Sequence, residues 1–153
     1  MPMPCQKGGT GYICAKNKYI NWKNYAELLW IWLVNQREIM SKVKLSVIII
    51  SYNTCDMTLE CIESLLNETD LEGVEVIVLD NNSEDGSVEA IGEKFPKVNL
   101  IASENNLGFA EGNNYCAKIA KGEYLLLLNP DTVTLDKAVD KLLSFSLDYP
   151  QAG

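Results

Sequence analysis

LSVIIIS, residues Leu45 to Ser51, is an almost unbroken apolar and β-branched run, followed at once by the polar pair Tyr52-Asn53. A strand with one wet face alternates apolar with polar residues. This run is apolar on both faces, the pattern of a strand covered by helices above and below, and so central in its sheet.

Working outward, Thr54 to Asn67 spaces Cys55, Leu59, Ile62 and Leu66 by four, three and four, an amphipathic helix with Asn53 or Thr54 as N-cap. Val74 to Leu79 (VEVIVL) is a second strand, and Asn81 to Gly86 is a polar turn cluster. Ser87 can cap a short helix carrying Val88, Ile91 and Phe95, stopped by Pro96, and Val98 to Ala102 is a third strand. Phe109 to Lys121 puts Ala110, Cys116, Ile119 and Ala120 near helical spacing and ends at Gly122. Tyr124 to Leu128 (YLLLL) is a fourth strand. Thr134 or Asp136 then opens a last helix with Ala138, Leu142 and Phe145 on one face, ending before Pro150. Strands separated by helices, with no hairpin signal between them, predict a three-layer α/β/α domain with a mostly parallel sheet and right-handed crossovers.

The remaining composition narrows the chemistry. The chain has 153 residues, enough for one core. Apolar residues at 47% and charged residues at 22% are those of an ordinary globular protein, which argues against collagen-like, disordered and polytopic membrane classes. Residues 1–44 hold seven basic and two acidic side chains, and residues 45–153 hold six and nineteen, so the two parts carry +5 and −13. A body at −13 repels polyanions, and no nucleic-acid partner is expected. The absence of histidine removes His-based triads and HExxH zinc sites. Five cysteines without a C-x-x-C pair indicate neither a disulfide framework nor a zinc ribbon and fit a reducing cytosol, with Cys55 and Cys116 read as small buried hydrophobes.

Residues 1–44 read as an irregular N-terminal extension with a short apolar helix, and residues 45–153 as the domain proper. Met1 to Asn24 carries Pro2, Pro4, Gly8, Gly9 and Gly11 without periodicity. Within Tyr25 to Met40, the apolar stretch Leu28 to Val34 is far shorter than the roughly twenty residues of a membrane span. It reads as a helix packed on the body, or as an interfacial helix in peripheral contact with a membrane. A third reading makes it foreign to the domain, because Met40-Ser41-Lys42-Val43-Lys44 would make an alternative start.

In open parallel sheets, ligands bind outside the carboxyl ends of the strands, near a switch in strand order. Tyr52-Asn53, Asp80-Asn81-Asn82, Glu104 to Phe109 and Asn129-Pro130-Asp131 follow the four strands, so every end carries an amide or a carboxylate. Asx residues suit any turn, and each could be only that; four on one rim would line a crevice with hydrogen-bonding groups. Asp80 could accept from a sugar hydroxyl or from a pyrimidine imide N–H, or form a turn with Ser83. Gly108 permits close backbone approach or a positive φ. Asn113 and Asn114, one turn into the following helix, could reach back to the crevice or face solvent. Asp131, fixed behind Pro130, suits a hard divalent cation shared with ligand phosphates. Neither a P-loop nor a G-x-G-x-x-G motif is present, so a pyrophosphate would be met mainly by metal.

LSVIIISYN (Leu45 to Asn53), VIVLDNNSEDGS (Val76 to Ser87), NNLGFAEGNN (Asn105 to Asn114) and YLLLLNPD (Tyr124 to Asp131), in this order, resemble the nucleotide-binding half of family 2 glycosyltransferases of GT-A fold. The N-x-G-F-A-x-G-N-N string and the Asn-Pro-Asp variant are similar to the rhamnosyltransferase-like branch. The resemblance implies that Tyr52, with Asn53, lies against the base, that Asp80 bonds it and that Asn82 shapes the adjoining loop. It implies that Asn106, Gly108, Phe109 and Asn113 lie near the nucleotide-sugar. Asn129 and Asp131 would occupy the DxD-type motif, with Asp131 as the one metal-binding carboxylate, for Mg2+ or Mn2+.

The implied donor is a dTDP- or UDP-sugar. The implied reaction is inverting transfer to a hydroxyl of a glycan or lipid-linked acceptor, in the cytoplasm or at the inner face of the membrane. In this family the catalytic Asp lies beyond the donor-binding half, so residues 45–153 read as an incomplete domain with no base of their own. The alternative is a non-catalytic nucleotide-sugar binding module or an inactive remnant. A receiver-like signalling domain would need an acid pair after the first strand, where Tyr52-Asn53 stands.

Overall fold

The computed structural model describes residues 12–15, 18–21 and 43–151. The chain divides into two compact units, Met1–Ser41 and Lys42–Gly153.

In the first unit, strands β1 (Tyr12–Ala15) and β2 (Lys18–Asn21) pair antiparallel, with Ile13 opposite Ile20 and Cys14 opposite Tyr19. Both strands lie within Met1 to Asn24, the stretch read from sequence as irregular. The helix expected within Tyr25 to Met40 lies outside the described residues.

The second unit runs β3 (Leu45–Ser51), α1 (Cys55–Glu68), β4 (Val74–Asp80), α2 (Ser87–Lys94), β5 (Asn99–Ala102), α3 (Gly108–Ile119), β6 (Tyr124–Leu128), α4 (Ala138–Asp148). The four strands form one sheet in the order β5-β4-β3-β6, and every pairing is parallel. The order steps from β3 outward to β5 and then returns to the other side of β3, so the switch point lies between β3 and β6. The fold is that of the three-layer α/β class expected.

Pleat alternation divides the core. Val47, Ile49, Val76 and Val78 pack with Cys61, Ile62 and Leu65 of α1, Ile91 of α2 and Val139 of α4. Ile48, Ile50, Ile77 and Leu79 point to the other face, against Cys116 of α3. Each fully buried aliphatic side chain contributes about 1.5–3 kcal/mol, which makes β3 and β4 the anchor of the unit.

Two helix faces differ from the sequence reading. The buried stripe of α1 is Thr58, Cys61, Ile62 and Leu65, so Cys55 is only half-buried and Leu59 and Leu66 pack at the margin. The helix turns inward a face one position away from the one read, and the hydroxyl of Thr58 on that face is satisfied by Ser51 and Thr54. In α4, Val139 is buried and Leu143 packs at the core edge, whereas Leu142 and Phe145 are exposed. That helix touches the sheet through its narrower stripe and leaves the broader one outside.

Candidate functional site

Parallel register places the carboxyl ends together. Ser51 pairs with Asp80, Asp80 with Ala102, and Ile49 with Leu128, so the loops after all four strands leave the sheet along one edge. Tyr52, Asp80, Gly108 and Asp131 therefore stand on loops at a single rim.

Three of these loops are laced together. Asn53, held at φ 53°, donates its backbone N–H to Ser83 Oγ (2.9 Å) and accepts the Glu84 N–H on Oδ1 (2.9 Å). Asp85 accepts the Cys55 N–H on Oδ2 (2.8 Å) and the Ser87 N–H on Oδ1 (3.1 Å), with the Ser87 hydroxyl on the same oxygen. One carboxylate thus caps both α1 and α2, a role the sequence reading gives to Asn53 or Thr54 for α1 and to Ser87 for α2. The Ser87 hydroxyl foremost, then the two N–H groups, hold the Asp85 carboxyl below its ordinary range. Asn82, exposed at φ 68°, turns the chain between Asp80 and this cap. Beneath Tyr52, the hydroxyls of Ser51, Thr54 and Thr58 form a closed triangle of 2.9–3.2 Å edges.

Asp80 sits at the last position of β4 with 1% of its surface exposed. Its Oδ2 accepts the Ser83 N–H at 2.8 Å, the turn contact weighed from sequence. Its Oδ1 is buried and has no hydrogen-bond partner. A buried acceptor left unpaired costs about 1–3 kcal/mol. A donor arriving there recovers that cost, but it must first move the groups that close the atom off from water.

The loop after β5 is bound to the same corner. Ser103 N–H donates to Asp80 O (2.9 Å), Leu107 N–H to Asn81 Oδ1 (2.7 Å) and Asn81 Nδ2 to Asn106 Oδ1 (2.8 Å). Gly108, at φ 74°, opens α3 and donates its N–H to Asn106 Oδ1 (2.8 Å). Phe109 is exposed on the first turn of α3. Asn113 is buried and donates Nδ2 to Phe109 O (2.8 Å), so its amide is engaged within its own helix. A cavity of about 470 Å3 lies beside the rim between β5 and α3, lined by Ile101, Glu104, Leu107, Glu111, Tyr115 and others, without Tyr52, Asp80 or Asp131.

The fourth loop is tied to α1 instead. Asn129 O accepts from Thr132 N–H (3.2 Å) and lies 3.5 Å from Cys61 Sγ, and Thr134 N–H donates to Ser64 Oγ (3.0 Å). Burial above all, with the charge of Asp131 adding to it, raises the Cys61 thiol to about 11. Asp131 itself is exposed. No cluster of three Asp, Glu, Cys or His side chains that could hold a metal exists among the described residues. The donor set fits a divalent cation as one carboxylate completed by ligand oxygens, and does not fit a cation held by protein side chains alone.

Sequence reasoning missed Asn81 and Asp85 as organisers of this rim, and Ser83 beyond its turn with Asp80. The signal was the density of Asx and Ser residues in 80–87, but their partners lie about 30 residues away in sequence.

Residues 46–152 match the family described as Glycosyl transferase family 2. The chain belongs to that family. An uncharacterized glycosyltransferase, MJ1057, of Methanocaldococcus jannaschii is 34% identical over 110 residues, covering 69% of this chain and 38% of that protein. The poly(ribitol-phosphate) beta-glucosyltransferase of Bacillus spizizenii is 34% identical over 109 residues, covering 68% of this chain and 17% of that one. The crystal structure of S. aureus TarS 1–349 in complex with UDP-GlcNAc superposes with TM-score 0.61 at 28% identity, covering 70% of this chain and 32% of that structure. The family 2 unit here has the GT-A fold, and the chain spans two fifths or less of these relatives' length.

Proposed function

We propose that this family 2 unit binds a nucleoside-diphosphate sugar at the 52/80/108/131 rim, as the donor half of an inverting glycosyltransferase. The observation that carries the reading is Asp80: a buried carboxylate at a strand's carboxyl end, one oxygen fixed by a backbone N–H and the other unpaired. An imide N–H of uracil or thymine is the complement of that oxygen, and exposed Tyr52 on the neighbouring loop offers a face for the base. The UDP-GlcNAc complex of TarS supports a uridine donor. The NNLGFAEGNN and Asn-Pro-Asp strings favour a dTDP-sugar of the rhamnosyltransferase-like branch.

In this reading Asp131 would hold Mg2+ or Mn2+ together with diphosphate oxygens, and the ion would neutralise charge on the leaving diphosphate. Asn53, Asn82, Asn106, Gly108 and Phe109 shape the wall of the site, while Asn113, already bonded to Phe109 O, acts by stiffening the first turn of α3. The acceptor in this reading is a hydroxyl of a glycan or lipid-linked molecule. Calorimetric titration with UDP-, dTDP- and GDP-sugars, with and without Mn2+, tests the reading. UDP- or dTDP-sugars are expected to bind more tightly with metal, Asp80→Ala to weaken binding at least tenfold, and Asp131→Asn to remove the metal dependence. Indifference to all three nucleotides would overturn it.

A further inference from the structure

Asn81 has no part in the donor-site roles proposed above, yet it is 3% exposed and its backbone N–H, Oδ1 and Nδ2 each have a partner at the rim. Its backbone N–H donates to Ser51 O (2.8 Å), joining the ends of β3 and β4. Its side chain crosses to the third loop. Leu107 N–H can only donate, so the atom facing it is Oδ1, which leaves Nδ2 to donate to Asn106 Oδ1. Asn106 Oδ1 also takes the Gly108 N–H. Leu107 is the N-cap position of α3 and supplies no side-chain cap. Asn106 Oδ1 therefore takes the first N–H of α3, and the Asn81 amide, from a strand end directly beside Asp80, holds both Asn106 and the N-cap N–H in place.

We propose that Asn81 is a positioning residue of the donor site, holding the 106–108 turn and the entry to α3 in register with the Asp80 carboxylate; this rests on the donor-site reading above. The geometry requires an amide. A carboxylate would set an acceptor against Asn106 Oδ1, and an aliphatic side chain would leave the Leu107 N–H without its partner. Asn81 touches no reacting atom. It acts through Asn106 and Gly108, so its removal should loosen nucleotide binding while leaving the apolar core alone.

The test is a double-mutant cycle on the full chain with Asn81→Ala, Asn106→Ala and the pair, read as UDP and dTDP affinity by calorimetry with Mn2+ alongside amide exchange at Leu107 and Gly108. Asn81→Ala is expected to weaken the better-bound nucleotide about tenfold and to speed exchange at those two amides. The loss in the double variant should be clearly smaller than the sum of the single losses, because both changes break the same Asn81–Asn106 bond. A merely structural role would lower the melting temperature without this coupling. Asn106 is exposed, so Asn106→Ala keeps the test open if Asn81→Ala does not fold. Wild-type affinity in either folded variant, or strictly additive losses, overturns the proposal. Failure of the wild-type chain to bind either nucleotide overturns the donor-site reading instead.

Discussion

The β3–β4 centre and the β6–α4 flank are built from equally apolar sequence and end differently. Every residue of β3 is buried, with helices against both faces. In β6 only Tyr124, Leu126 and Leu128 pack inward; Leu125 and Leu127, on the face shared with Ile48, are 47% and 53% exposed. α3 is the helix on that face and it lies over β3 and β4. On α4, Leu142, Phe145 and Leu147 are exposed as well. The lesson is that an apolar run reports what a strand can bury and not what covers it. The site loops are divided differently: three are laced to one another on the buried centre, and the Asp131 loop leaves the flank strand β6 but is tied to α1 of the centre.

Substitutions can break that comparison. Ile77→Ala, in the centre, is expected to cost about 2–5 kcal/mol by chemical denaturation; a loss as small as that of a flank residue would dissolve the distinction. Gly122→Ala probes the seam where β6 meets β3, because an added Cβ would lie 2.4 Å from Ser46 N and 2.7 Å from Leu45 C, both backbone atoms that cannot rotate away. A cost of about 1–3 kcal/mol is expected from that overpacking. Asp85→Ala removes the carboxylate capping two helices and is expected to cost about 1 kcal/mol near neutral pH. The sign of its pH dependence is fixed by the lowered carboxyl: the stabilisation is present above the unfolded value of 3.8 and is lost as pH falls through the lower folded value. Wild type and variant should therefore converge in acid, and a constant gap would contradict the double cap. Leu127→Ser is expected to change stability by less than about 0.5 kcal/mol. A larger loss would mean that the flank is covered in solution.

The sheet was legible because each strand is a mostly apolar run with polar residues at its carboxyl end, so Leu45 to Ser51 and Tyr124 to Leu128 could be delimited to the residue. Helix faces were less so. In α4 both the Leu142–Phe145 face and the Val139–Leu143 face have helical spacing, and only the position of β6 decides between them. Thr58 can lie inward with its hydroxyl satisfied by Ser51 and Thr54, a partnership that apolar periodicity does not register. At the rim, residue types were readable from strand ends, whereas the lacing of Asn53 to Ser83, Asp85 to Cys55 and Asn81 to Asn106 exists only after folding brings distant segments together.

The most direct measurement is a crystal structure of the chain with UDP or dTDP and Mn2+. The account predicts the imide N–H of the base within hydrogen-bond distance of Asp80 Oδ1 and the diphosphate directed toward Asp131. A nucleotide seated in the cavity between β5 and α3, with Asp80 Oδ1 still unpaired, would contradict it.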